Sequence, residues 1–168
     1  MSRITNTSNL IAFIVSEWKK AQCREKLQDK VLFATVGEKC YRITSQGSVE
    51  FPALQCYQEE AEGCLILHAS HAAVEEYQTV VICSEDTDVL IMSLAFHDRI
   101  QASLFQKCGT KTWRKVIDIR KVAATVGIGV CKALIGMHAF TGCDIVSAFA
   151  GNGKAKALKS LIRNKILF

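Results

Sequence analysis

The stretch TVVICSEDTDVLIMSLAF, residues 79–96, does most to limit what this chain can fold into. Val80, Val81, Ile82 and Cys83 make a short unbroken apolar run of the kind that forms a buried strand, and VLIMSLAF at 89–96 reads as a short buried helix. Between them stand Glu85, Asp86 and Asp88. Carboxylates this close repel one another and lose solvation on burial, so they belong either to a solvated turn or to a site where a cation compensates them. On the second reading, removing one acid relieves repulsion and stabilises the metal-free protein. In sheets covered by helices, ligands gather beyond the carboxyl ends of the strands, which is where Asp86 and Asp88 fall.

The remaining elements continue this alternation. Residues 9–27 have apolar positions at 10, 11, 14, 15 and 18 and read as an amphipathic helix. Residues 30–45 read as two short strands turning at Gly37-Glu38. Residues 58–76 read as a helix with its acids in the first turn, where the helix dipole favours them. RIQASLFQ and WRKVIDI read as a strand pair joined through KCGTK, with Asp118 as a cap for IRKVAATVG and a further helix over 130–140. The last stretch, from Thr141, reads as a turn, a short helix, a glycine turn and a basic helix. Strands alternating with helices predict an α/β fold whose sheet contains parallel pairing and is flanked by helices.

The charge of +5 is divided unevenly along the 168 residues. Residues 1–98 hold 8 Lys/Arg against 14 Asp/Glu, a net of −6, while residues 99–168 hold 13 against 2, a net of +11. From Ile43 to Asp98 there are ten carboxylates and no Lys or Arg. Whatever neutralises that patch comes from another part of the chain or from a bound cation. A single proline and 10 glycines leave no linker, and 49% hydrophobic residues suffice for one α/β domain. The apolar run LIAFIV is too short to span a membrane, so a nuclear or cytoplasmic location without a membrane partner is expected. The eight cysteines form no C-x-x-C pair and several lie in apolar segments, as free thiols do in a reducing compartment.

Three acidic groups stand in order: EEAE at 59–62, EDTD at 85–88, and Asp144 in TGCD. Hard divalent cations such as Mg²⁺ and Mn²⁺ take oxygen ligands, and two such ions about 4 Å apart suit phosphodiester cleavage. Helical periodicity would pair Glu59 with Glu62 on one face better than Glu60 with Glu62. EAEG (60–63), SEDTDVL (84–90), TGCD (141–144) and GNGKAKAL (151–158), in that order and at similar spacing, resemble the middle and late motifs of PIN-like nucleases of the flap endonuclease and XPG type.

The resemblance spans roughly residues 57–165 and implies a PIN-like sheet flanked by helices, ending in a C-terminal helical hairpin. It implies a single domain over 1–168: a divergent N-terminal part at 1–50, an acidic metal-site core at 57–144 and a basic hairpin at 145–168. Glu60, Glu62, Asp86, Asp88 and Asp144 would be the catalytic metal ligands for Mg²⁺ or Mn²⁺, converging at one edge. Gly151, Gly153, Lys154, Lys156 and Lys159 would hold the backbone of a nucleic acid, DNA in the first place. Family members also carry an Asp after their first strand and a second upstream acid, and residues 1–50 reproduce neither. The chain therefore resembles a truncated or divergent animal member, with the N-terminal part of the fold incomplete.

Two alternatives stand beside the metal-dependent nuclease. In haloacid-dehalogenase-type phosphotransferases the D-x-D follows its strand at once, whereas here Ser84 and Glu85 intervene. A catalytically inactive remnant that binds nucleic acid or protein keeps the basic hairpin and needs no complete acid set. The basic stretch is also consistent with a solvated amphipathic helix. KCGTKTWRK, with Lys107, Lys111, Arg114 and Lys115 around Trp113, fits phosphate contact with base stacking, and equally a hairpin tip whose Trp packs inward.

Overall fold

Apolar alternation and local caps place most elements in the computed structural model, which describes residues 3–56, 61–109, 113–141 and 159. The chain folds as two compact units, Met1–Cys64 and Leu65–Phe168. Together they make a mixed α/β structure with six helices and two small three-stranded sheets among the described residues.

The first unit opens with helices α1 (Arg3–Trp18) and α2 (Ala21–Arg24), followed by strands β1 (Leu32–Val36), β2 (Lys39–Ile43) and β3 (Ser48–Glu50). All pairing in this sheet is antiparallel. Gly37 takes φ +58° at the first central position of the two-residue β1–β2 turn, where glycine adopts positive φ without a steric cost. Val15 of α1 packs with Ala34 and Ile43, yet Leu10, Ile11, Phe13 and Trp18 are exposed. The apolar face expected on this helix is therefore only partly buried within the described chain.

Cys56 and Cys64 form a disulfide with Cα atoms 6.0 Å apart, a pairing that the free-thiol reading of several cysteines does not include, while Cys23, Cys40, Cys83, Cys108 and Cys131 are free. Sequence spacing alone does not disclose it, because pairing requires a close approach of both Cβ atoms. Closing so short a loop restricts the unfolded chain and contributes roughly 2–3 kcal/mol. Cys40 and Cys131 are buried free thiols, and burial pushes both thiol pKa values up, as expected of structural rather than reactive cysteines.

Helix α3 (Ala61–Val74) leads to the second unit's β4 (Thr79–Cys83), α4 (Thr87–Phe96), β5 (Ser103–Gly109), β6 (Arg114–Asp118), α5 (Ile119–Val126) and α6 (Ile128–Thr141). β4 and β5 are parallel, with Thr79 opposite Ser103 and Cys83 opposite Lys107, and α4 supplies the crossover between them. β6 returns antiparallel, with Cys108 opposite Lys115. Ile82 and Leu104 from the sheet meet Ile66, Val89, Leu94, Ile119, Ala123 and Leu134 in one core. Asp118 caps α5 as expected, accepting the Lys121 N–H at 3.1 Å. The expected C-terminal hairpin lies outside the described residues except for Lys159, which is helical and exposed.

Candidate functional site

The acidic turn is built from the end of β4 and the start of α4. The Ser84 N–H donates to the Lys107 carbonyl at 3.2 Å, extending the ladder one residue past Cys83. The Asp86 N–H then donates to the Ser84 hydroxyl at 3.1 Å, which turns the chain out of the sheet. Asp86 is the N-cap of α4: its Oδ1 accepts the Asp88 N–H at 2.9 Å. Asp88 sits in the first turn of the same helix, where the dipole favours a negative charge. Glu85 accepts the Gly109 N–H from the end of β5. Backbone N–H groups and a helix terminus thus supply part of the compensation that three adjacent carboxylates require.

Gln106 fixes this turn from below. Its side chain is buried, and its Nε2 donates to the carbonyls of Ser84 at 3.1 Å and Asp86 at 3.3 Å. Sequence reading passed over Gln106 as one residue of a strand. The available signal was parity: in SLFQ it shares the inward-facing set with Leu104, and a polar residue at an inward position needs partners.

Of the five expected metal ligands, the structure brings Asp86 and Asp88 together at the carboxyl end of a parallel strand. Glu62 lies in the first turn of α3 and belongs to the other compact unit. Glu60 and Asp144 lie outside the described residues, as do Gly151, Gly153, Lys154 and Lys156. No group of three or more His, Cys, Asp or Glu side chains suited to a metal ion occurs among the described residues. The donor chemistry of Asp86 and Asp88 fits one Mg²⁺, which is usually held by one or two carboxylates and completed by water and phosphate oxygens. Capping occupies one lone-pair site of Asp86, and an ionised carboxylate has about four.

Beside the turn, a cleft of about 420 Å³ opens at the same sheet edge, lined by Cys83, Glu85, Lys107, Gly109 and Arg114 among others. Gly109 has φ +111°, and a Cβ there would overlap the Trp113 carbonyl oxygen, so the β5–β6 hairpin requires glycine at this point. Trp113 is 62% exposed, so it does not pack inward. Of the two readings of KCGTKTWRK, this sets aside the inward-packed Trp; Lys107, Arg114 and Lys115 are exposed as well. No family model matches the chain, and no curated protein or solved structure is significantly similar to it.

Proposed function

We propose that the chain is a PIN-like module of the flap endonuclease/XPG type that binds nucleic acid, DNA before RNA, and hydrolyses phosphodiester bonds with Mg²⁺ or Mn²⁺. The observation that carries this reading is the position of Asp86 and Asp88: both leave the carboxyl end of parallel-paired β4, beside a cleft bearing Lys107 and Arg114. Asp86 and Asp88 would hold the ion, with Glu60, Glu62 and Asp144 as the further acids the motif order assigns. Bound there, the ion supplies Lewis acidity toward a phosphoryl oxygen. Gln106 keeps the acids in place through the backbone, and Lys107 and Arg114 draw a polyanion toward them by charge. In this reading Lys154, Lys156 and Lys159 grip the backbone without sequence preference, with Gly151 and Gly153 leaving N–H groups free for a phosphate.

A second reading, nucleic-acid binding without hydrolysis, is favoured by the structural employment of the acids. Asp86 caps a helix and Glu85 satisfies a backbone N–H, so both have work to do in a protein that holds no metal. Incubating the protein with labelled single-stranded, flapped and duplex DNA and with RNA, with and without Mg²⁺ or Mn²⁺, separates the two. Cleavage that requires the ion and disappears in Asp86→Asn, which keeps the cap, supports the nuclease. Binding without metal-dependent cleavage supports the second reading, and neither binding nor cleavage rejects both.

A further inference from the structure

The Cys56–Cys64 bond, with a sequence separation of 8, closes a covalent ring around an acidic stretch of the chain. By sequence that ring contains Glu59, Glu60 and Glu62, and the motif order assigns Glu60 and Glu62 to the metal. Its two ends are held differently. Cys56 is buried and anchored to the first unit's sheet: its N–H donates to the Glu38 carbonyl at the β1–β2 turn, at 3.3 Å, just after a short turn, Pro52–Leu54, that buries Leu54 completely. Cys64 is half-buried in the first turn of α3. Beyond that turn α3 is secured by Ile66 and Ala69 in the second unit's core. The first turn itself has weaker holds, because its N–H groups have no intrahelical acceptors and Gly63 adds backbone freedom. The sulfur bridge is the one covalent tie that compensates for this.

The remaining thiols indicate what kind of bond this is. Cys83 is exposed, Cys23 and Cys108 are half-buried, and all three are free. Accessible thiols persist where small thiols keep the surroundings reducing, and a disulfide in such surroundings is transient and redox-responsive rather than a permanent crosslink. Re-formation is favoured by position. The ring is short, so closing it costs little chain entropy, and the fold holds the two Cα atoms within bridging range.

We infer that Cys56–Cys64 is a thiol–disulfide switch that fixes or releases the first turn of α3 and, with it, Glu60 and Glu62. The reductant is a small thiol of the glutathione class. Its thiolate attacks Sγ of the less buried residue, Cys64; the S–S bond breaks, and the Cys56 sulfur leaves as a thiolate that takes up a proton. A second glutathione thiolate attacks the glutathione sulfur of the mixed disulfide, which frees the Cys64 thiol and forms oxidised glutathione. Two electrons thus pass from two glutathione thiols to the bond, and oxidised glutathione reverses the sequence. With the ring closed, the positions open to Glu60 and Glu62 are restricted. With it open, a divalent ion loses two restrained oxygen donors. The link to the metal rests on the function proposed above, whereas the opening of the bond and the release of the turn do not.

The test equilibrates the full chain across ratios of reduced to oxidised glutathione, quenches it with acid, alkylates it and digests it with a protease that cuts after glutamate. A cut at Glu59, Glu60 or Glu62 falls between the two cysteines, so the closed ring yields a crosslinked peptide pair and the open ring two alkylated peptides. The two forms are expected to interconvert between the ratios of a reducing cytosol and those of the more oxidising secretory compartment. Amide hydrogen exchange should show protection of the first turns of α3 lost on reduction while the β4 amides stay protected, and Cys56→Ser should reproduce that loss without any reductant. A bond that survives a large excess of reduced glutathione is a permanent crosslink, and cysteines that both alkylate under oxidised glutathione do not pair; either result overturns the switch. Interconversion with unchanged exchange in α3 overturns it as well, since the turn is then held by other means. The rise in Tm caused by Mg²⁺ should be larger for the closed form than for the open one. Equal rises overturn the link to Glu60 and Glu62. Absence of a rise in both forms instead counts against the metal part of the function proposed above, and the exchange result still decides the switch.

Discussion

Gln106 holds Asp86 by its backbone: the buried side-chain amide donates to the Asp86 carbonyl at 3.3 Å and to the Ser84 carbonyl at 3.1 Å. The acidic turn thus takes its shape from a residue twenty positions downstream on the neighbouring parallel strand. Both amide hydrogens go to the turn, while Oε1 has no partner among the described residues. Gln106→Leu removes both donors and should cost about 1–3 kcal/mol, read from urea unfolding. Gln106→Glu should cost more at neutral pH, because a carboxylate cannot donate to carbonyls and adds a fourth negative charge to the turn. Partial recovery on acidification, as that carboxyl protonates and donates again, would identify the bond rather than the volume as the cause.

Asp86 has two roles that substitution can separate. Relief of repulsion among Glu85, Asp86 and Asp88 alone would make Asp86→Ala stabilising, but the side chain caps α4, and losing a cap costs about 0.5–2 kcal/mol. Asp86→Ala is therefore expected to destabilise the metal-free protein. Asp86→Asn retains an acceptor for the Asp88 N–H and removes the charge, so its midpoint should equal or exceed that of the wild type. Equal losses in the two variants would show that the charge, rather than the cap, is what α4 uses.

What was legible in the sequence was local. The strand, turn and helix from Thr79 to Phe96, the Gly37-Glu38 turn and the Asp118 cap each follow from residues within a few positions of one another. β3 escaped because three residues, none of them buried, carry no periodicity. Gln106 and the Cys56–Cys64 bond escaped because each acts across a distance that only the folded chain closes. Alternation shows that a strand has two faces, and only packing shows which of them a helix covers.

His68 gives the second unit a pH signature. Burial, with the charge of His71 as the smaller cause, pushes its pKa below the ordinary 6.5. Below pH 6.5 the unfolded chain then takes up the proton before the folded one, so stability falls as pH drops from 6.5 toward the lowered folded value. Beneath that value both states are protonated and the loss levels off. Urea midpoints of the wild type should decline through this window, and those of His68→Leu should decline less. Parallel curves would remove His68 as the source.

Divalent metal supplies the most direct measure of what the paired acids are for. An ion that binds the folded state alone stabilises it by RT ln(1 + [L]/Kd), about 2.7 kcal/mol at a hundred times Kd. For a chain of this size that corresponds to very roughly 5–10 °C in Tm. Melting in increasing Mg²⁺ or Mn²⁺ should therefore shift upward with concentration in the wild type and less in Asp86→Asn and Asp88→Asn, which preserve shape and remove charge. The comparison is independent of any cleavage assay, so an inactive protein with a working metal site still registers. No shift at millimolar ion would leave Asp86 and Asp88 as a helix cap and a helix-dipole charge. The motif order would then support a protein that binds nucleic acid without cutting it.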